Sequence, residues 1–256
     1  ENNQGNSAIG IGRQSSRYSQ GAYAVSVGYQ SGYQNQGESA MAIGYNSGVY
    51  YQGSGAISLG LNSAYNYQGI NSISIGSSAG YNYQGTLAVA IGYNSAYASQ
   101  GTGAISIGAY AGYSSQGQYS TAIGYQAGYQ NQKAYSTSIG YQSGYNYQDS
   151  SSVAIGYQSA YNTQGKYATA IGYQSGYINQ KDATIALGYQ AGFTNQATGG
   201  VSIGYQAGAN NLGQYSVSIG YQTNANALRE DSIVGYSNVS IGNQAAADNQ
   251  GDYAVA

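Results

Sequence analysis

The sequence has no Cys, His, Pro or Trp, and it carries only six Lys and Arg and eight Asp and Glu in 256 residues. Without Cys and His, the usual thiolate nucleophiles, proton shuttles and transition-metal ligands are missing, so we expect neither an enzyme nor a bound cofactor or metal. A net charge of -2 cannot neutralise a run of phosphates, which argues against nucleic acid as a partner. No run of about 18 apolar residues occurs, so we expect no segment to insert into a membrane.

The most informative feature that is present is a glycine recurring every sixteen residues from Gly12 to Gly220. We call it the phased glycine and number each repeat from it. The next equivalent, Gly242, lies 22 residues after Gly220. We therefore divide the chain into regular repeats at 1–223, an insertion loop at 224–238 and a resumed repeat at 239–256. Both ends fall inside a repeat, so we expect the chain to continue beyond this sequence.

An unbroken aliphatic column precedes the phased glycine. Position minus three is aliphatic, Met or Thr, position minus two is always Gly, Ala or Ser, and position minus one is always Ile, Val or Leu. This period-two alternation predicts a strand with one branched face and one small face. We expect the minus-one residues to form the inner wall of the fold. They are Ile11, Val27, Ile43, Leu59, Ile75, Ile91, Ile107, Ile123, Ile139, Ile155, Ile171, Leu187, Ile203 and Ile219.

A sixteen-residue unit has room for two short strands and two corners but not for a helix. The predicted fold is therefore all-β, a parallel β-solenoid or β-roll with one sixteen-residue coil per repeat. A disordered Gly/Ser/Tyr/Gln tract is the alternative. It does not explain an aliphatic row at fixed phase.

Position plus eight is Gln in twelve of the fourteen regular repeats. Side-chain amides one coil apart can hydrogen-bond along the solenoid, which predicts a Gln ladder; a ligand role is the weaker alternative. The ladder residues are Gln20, Gln36, Gln52, Gln68, Gln84, Gln100, Gln116, Gln132, Gln148, Gln164, Gln180 and Gln196.

Tyrosine fills most of two further positions, plus one and plus five. Facing outward, the plus-five rings would form an aromatic strip able to contact glycans or a surface; facing inward, they would only pack the wall. The candidate contacts are Tyr33, Tyr65, Tyr81, Tyr97, Tyr113, Tyr129, Tyr145, Tyr161 and Tyr177.

The few charges gather towards the ends of the sequence, and no charged residue occurs between Ser39 and Gln132. Opposite signs at the two ends favour head-to-tail stacking of copies, or else the charges guard open sheet edges against it. Asn238 begins the sequon Asn-Val-Ser in the predicted insertion and is a candidate N-glycosylation site.

Runs such as Ser152-Val-Ala-Ile-Gly156 and Ser216-Val-Ser-Ile-Gly220, followed by a small residue at plus three, resemble the head repeats of YadA-like trimeric autotransporter adhesins. Related repeats occur in phage and large-virus tail fibres. The resemblance implies a left-handed parallel β-roll, often trimeric, displayed on a cell or virion surface to adhere to host or matrix components. The family tends to place Ala at plus five, where Tyr dominates in this chain.

These observations favour an extracellular structural fibre or adhesin rod that self-associates laterally, head to tail or both. One alternative is a carbohydrate- or surface-binding module that uses the Tyr columns. Another is a secreted functional amyloid similar to curli, whose repeats also carry Gln and Asn ladders.

Overall fold

The computed structural model describes residues 3–224, 237–246 and 253–256. The chain divides into two compact units, Glu1–Ala134 and Tyr135–Ala256. Each unit is a stack of parallel coils, and the described residues contain strands, turns and bends but no helix. The predicted parallel β-solenoid with two short strands per coil is therefore confirmed.

In the first unit, one sheet contains the strands that precede the phased glycine, and a second sheet contains the strands that end at plus eight. Neighbouring strands pair exactly one repeat apart, as Ile9 with Val25 and Gln36 with Gln52. The strands are β1 (Ile9–Ile11), β2 (Tyr18–Gln20), β3 (Val25–Val27), β4 (Gln34–Gln36), β5 (Met41–Ile43), β6 (Tyr50–Gln52), β7 (Ile57–Leu59), β8 (Tyr67–Gln68), β9 (Ile73–Ile75), β10 (Tyr83–Gln84), β11 (Val89–Ile91), β12 (Ser99–Gln100), β13 (Ile105–Ile107), β14 (Ser115–Gln116) and β15 (Thr121–Ile123).

The second unit repeats the arrangement, with the strands Asn162–Gln164, Ile178–Gln180 and Thr194–Gln196 forming its second sheet. Its last two strands keep the register across the longer spacing, because Gly220 pairs with Gly242. The strands are β16 (Thr137–Ile139), β17 (Val153–Ile155), β18 (Asn162–Gln164), β19 (Thr169–Ile171), β20 (Ile178–Gln180), β21 (Ile185–Leu187), β22 (Thr194–Gln196), β23 (Val201–Ile203), β24 (Val217–Tyr221) and β25 (Val239–Asn243). Residues 225–236, most of the predicted insertion, lie outside the described residues.

Left-handed backbone makes the corners of each coil. Positions plus two, plus four and minus five have φ near +55°, as at Gln158 and Ala160, whose φ values are 49° and 46°. The phased glycine has a different geometry, with a φ of 128° at Gly156. A Cβ at Gly156 would overlap the carbonyl oxygen of Gly172 in the next coil. The sixteen-residue glycine period thus follows from backbone conformation and from close stacking of the coils.

The interior of the coils is lined by small side chains. Positions minus four, minus two and plus three are Ala, Ser, Thr, Gly or Asn, and those described are almost all fully buried. Three interior clusters consist only of alanines, one of them Ala79, Ala90 and Ala96. The largest side chains that are regularly buried are the plus-eight glutamines. The space between the two sheets is therefore narrow and close-packed.

The prediction that the aliphatic column forms the inner wall is wrong. Strand alternation places minus two inside, so minus three and minus one both point outward. The residues of the column that are exposed are Ile11, Ile43, Ile75, Ile107 and Ile171. Those that are half-buried are Val27, Leu59, Ile91, Ile123, Ile139, Ile155, Leu187, Ile203 and Ile219. The buried plus-eight glutamines fill the interior and leave room at minus two only for a small side chain, so steric size decides which face of the strand turns inward.

Candidate functional site

The plus-eight glutamines form hydrogen-bonded amide columns inside each unit. The Gln36 amide Nε2 donates to the Gln52 Oε1 at 3.0 Å, and Gln52 donates in turn to Gln68 at 3.0 Å. In the second unit Gln148, Gln164 and Gln180 each donate to the next glutamine at 3.0 to 3.3 Å.

Each of these amides also ties the two sheets of its coil together. Gln100 Nε2 donates to the carbonyl oxygens of Val89 at 2.8 Å and of Ala104 at 3.1 Å, across the narrow interior. In four coils the Ser at minus two donates its hydroxyl to the amide oxygen, as Ser106 does to Gln116 at 2.7 Å. Ser58 instead donates to the Ser63 carbonyl oxygen. The buried amides are thus part of the scaffold, with their hydrogen bonds directed at the chain itself.

Except for Tyr33, which contacts Tyr18 and Tyr50 edge to face, the plus-five tyrosines stack face to face within each unit. Ring centroids of Tyr81 and Tyr97 lie 4.9 Å apart at an interplanar angle of 6°, and those of Tyr145 and Tyr161 lie 4.9 Å apart at 3°. All nine candidate residues are half-buried. Because each ring inside the stack faces a ring on either side, these columns offer ring edges and not ring faces to a partner. Stacking of a sugar ring on them is therefore blocked except at the ends of a column.

Partial burial changes the ionisation of this column. Desolvation raises the pKa of Tyr65, Tyr81, Tyr113 and Tyr177 above the usual value near 10, and neighbouring tyrosines raise it further. Tyr33 also has a raised pKa, again chiefly from desolvation. The neutral phenol is therefore the form that the folded chain favours.

The plus-one tyrosines, which the sequence reasoning did not select as contacts, are the more exposed set. In the second unit they are Tyr141, Tyr157, Tyr173, Tyr189, Tyr205 and Tyr221, each 41 to 48% exposed. Beside them the plus-two glutamines make a surface amide ladder, in which Gln174 Nε2 donates to Gln158 Oε1 at 3.0 Å. The signal available in the sequence was the dipeptide Tyr-Gln at the same phase in seven consecutive repeats, from Tyr125 to Tyr221, six of them in the second unit.

Asn238 does not lie on a surface loop. It is fully buried at position minus four of its coil, and its Oδ1 accepts a hydrogen bond from the Ala254 backbone N–H at 2.9 Å. The expected surface-loop position of Asn238 is therefore wrong, and its burial in the folded chain argues against N-glycosylation there.

The described residues contain no group of three or more His, Cys, Asp or Glu side chains that could hold a metal ion. They also include no helix long and apolar enough to cross a membrane.

The family model of the YadA head domain repeat matches residues 115–128, 196–223 and 212–233. These segments amount to about a fifth of the chain, and they include the aliphatic-Gly strands β23 and β24. No curated protein sequence matches the chain. Together with the parallel β-solenoid, the match confirms the resemblance to YadA-like head repeats. It indicates a surface-exposed, adhesin-type fibre, and repeats of this kind are typically structural and not catalytic.

Proposed function

We propose that the chain is part of an extracellular structural fibre or adhesin on a cell or virion surface, and that its copies associate laterally through the outward rows at minus three and minus one. We call these rows the aliphatic face. The observation that carries the proposal is their exposure: Ile75 is 36% exposed and Ile107 is 37% exposed, on a sheet face that no other described residue covers. Contiguous apolar surfaces of this kind mark association sites in soluble proteins.

The energetics favour covering this face. Complete burial of an Ile side chain is worth roughly 1.5 to 3 kcal/mol, so covering the exposed third to half of each residue contributes on the order of 1 kcal/mol per Ile. Neighbouring coils add their contributions because the face repeats in each coil. Association of many weak, equivalent contacts is thus enough to offset the entropy lost when two chains bind.

A second copy of this chain is the partner that fits best. Its coils have the same sixteen-residue repeat, so its apolar rows keep the same axial spacing along the whole contact. Between Ser39 and Gln132 neither copy brings a charged residue, so no like charges meet. The small-residue interior leaves the aliphatic side chains with no other place to be buried.

Analytical ultracentrifugation of the double variant Ile75→Lys/Ile107→Lys tests lateral association. We expect the unmodified chain to sediment as an oligomer and the variant as a monomer, because two ammonium groups per copy would be buried in the contact. The matched control is Ile70→Lys/Leu87→Lys, which changes residues that are 51% and 57% exposed and lie outside the aliphatic face. Circular dichroism verifies that both variants fold. A monomeric unmodified chain, or equal effects of the two variants, would refute the proposal.

Head-to-tail stacking is a separate mode of the same assembly. The charges near the two ends of the sequence support it, since Arg13 and Arg17 are basic while Asp248 and Asp252 are acidic. Electron microscopy at low and high salt tests it, because filaments built this way shorten as salt screens the charges. A chain that shows no filaments at high concentration and low salt would contradict this mode.

Carbohydrate binding is the second candidate function, and the exposed Tyr-Gln rows of the second unit favour it. A curli-like amyloid is the third, supported by the amide ladders alone. Dye binding together with seeded growth of fibrils distinguishes amyloid from the other two.

A further inference from the structure

The second unit carries a second regular surface, distinct from the aliphatic face. We call it the Tyr-Gln array and define it as the tyrosines at plus one and the glutamines at plus two in six consecutive coils. Its members are Tyr141, Gln142, Tyr157, Gln158, Tyr173, Gln174, Tyr189, Gln190, Tyr205, Gln206, Tyr221 and Gln222.

The array has a uniform axial repeat. Successive ring centroids are 4.9 to 5.1 Å apart, and the ring planes are within 9° of parallel. Each surface amide donates to the preceding one at 2.9 to 3.0 Å. The corner backbone continues the pairing, as in the N–H of Gln174, which donates to the Tyr157 carbonyl oxygen at 2.8 Å. The side chains are therefore held in place before any ligand arrives.

The fold does not require this uniformity. In the first unit the plus-one row includes Leu61, Ser77 and Ala109, and the plus-two row includes Ser78 and Tyr110. The coils there pair with the same sixteen-residue register. Because other residues satisfy the same backbone, the six identical Tyr-Gln pairs are a property of the surface and not of folding.

The chemistry of the array restricts what it can bind. It contains no charged residue, so the ligand is neutral. The ring faces inside the column are covered by neighbouring rings, so the array offers phenol hydroxyls and ring edges. Among the described residues the structure gives the hydroxyls of Tyr157, Tyr173 and Tyr189 no hydrogen-bond partner. In the ladder, each amide donates one N–H to one neighbouring amide and accepts one hydrogen bond from the other. Gln174 and Gln190 therefore each keep a second N–H and a second oxygen lone pair for a ligand.

The axial repeat selects the class of ligand. An extended peptide lying along the column advances about 3.3 Å per residue, which does not match the spacing between successive coils, so its residues would not each meet one Tyr-Gln pair. An extended β-1,4-linked hexose chain advances per sugar by close to the spacing of parallel strands. Each sugar would then meet one Tyr-Gln pair, and its ring hydroxyls would exchange hydrogen bonds with the phenol and the amide.

We propose that the Tyr-Gln array binds a neutral, extended, β-linked polysaccharide that lies parallel to the stacked tyrosines. This inference rests on the proposed adhesive function and specifies its ligand. The binding relies on hydrogen bonds from hydroxyls and amides that repeat once per coil, while the apolar contacts come from the ring edges.

The test is co-sedimentation of the chain with amorphous cellulose, a β-linked glucan, and in parallel with insoluble amylose, an α-linked glucan of the same sugar. The variant is Tyr157→Phe/Tyr173→Phe/Tyr189→Phe, which keeps the rings and removes three hydroxyls. Phe193, stacked on Tyr177 at 5.0 Å and 4°, shows that Phe is compatible with a ring column of this fold. The matched control is Tyr145→Phe/Tyr161→Phe/Tyr177→Phe in the half-buried plus-five column.

We expect the unmodified chain to bind cellulose and not amylose, and the first variant to bind about tenfold or more weakly, because each hydroxyl contributes a factor of a few. The control variant should bind as the unmodified chain does. Absence of cellulose binding, equal binding to both glucans, or equal affinity of the two variants would overturn the inference. So would a change of oligomeric state in the first variant, which would make the array a contact between copies. Ultracentrifugation measures lateral association separately. If the chain is an oligomer that does not bind cellulose, only this inference is refuted. If it is a monomer that binds cellulose, only the lateral association is refuted.

Discussion

Replacing the buried Gln100 by Glu should make folding of the first unit strongly dependent on pH. All three groups that receive hydrogen bonds from Gln100 Nε2 are oxygens: the carbonyls of Val89 and Ala104 and the amide oxygen of Gln116, at 2.8, 3.1 and 3.1 Å. A carboxylate has the same shape but donates no hydrogen bond, so it would face three acceptors in a site that is 97% buried, since Gln100 is 3% exposed. Only the protonated acid fits.

The size of the effect follows from the pKa of a buried carboxyl. Burial raises the pKa of Glu from about 4.3 to about 8 or 9 in comparable sites. Because the folded pKa is the raised one, the penalty is absent below the unfolded pKa and grows by about 1.4 kcal/mol for each pH unit above it. At pH 7 the variant should therefore be roughly 3 to 4 kcal/mol less stable than at about pH 4. The loss should level off only above the folded pKa.

Urea denaturation followed by circular dichroism at several pH values measures this free energy of unfolding. The matched control is Gln118→Glu, because Gln118 is exposed in the same unit and its carboxylate can remain in water. A second comparison is Gln100→Leu, which copies the natural Leu212, fully buried at the same position of its own coil. We expect Gln118→Glu and Gln100→Leu to show no such pH dependence. If Gln100→Glu is as stable at pH 7 as at pH 4, the amide column does not have the role assigned to it.

Gly156→Ala should destabilise the second unit by about 3 kcal/mol or more, because its φ of 128° is strained for Ala and its Cβ would overlap the Gly172 carbonyl oxygen. Gly176→Ala is the control and should cost only about 1 kcal/mol, since Ala occupies the equivalent left-handed position in other coils; equal losses in thermal denaturation would contradict this. Stability should also fall with increasing pH above about 10, because the raised pKa of half-buried tyrosines such as Tyr81 means that the phenol is deprotonated first in the unfolded chain. The stability contributed by the neutral phenol is fully present below the pKa of the unfolded chain and is lost as the pH rises through the pKa of the folded chain. Denaturation midpoints that stay constant from about pH 9 to about pH 12 would exclude this contribution. Finally, mass spectrometry after secretion from a glycosylating host should find Asn238 unmodified, because it is buried; an occupied site would show that this coil is open during or after folding.

The coil, its strands and their register could be predicted from the sequence because the backbone conformation requires the same residue types at the same positions of every repeat. A phased glycine such as Gly156 has no room for a side chain, so its position is the same in each coil. The alternation around it predicts a strand, and sixteen residues leave no room for a helix. The amide column at plus eight was predictable for the same reason, since a polar residue repeating at one phase can pair with its own copies.

The direction in which the strand faces was decided by the tertiary structure. Hydrophobicity alone placed Ile75 inside and Ser74 outside, and the structure has them reversed, because the buried plus-eight amide lies against minus two and leaves room there only for a small side chain. The interior then contains Ser74 and the Gln84 amide, joined by a hydrogen bond of 2.8 Å. The same geometry makes Asn238 inaccessible and turns the ring edges of the tyrosines to the solvent. Periodicity in the sequence therefore fixed which residues align along the solenoid, and the width of the coil determined which of those rows a partner can reach.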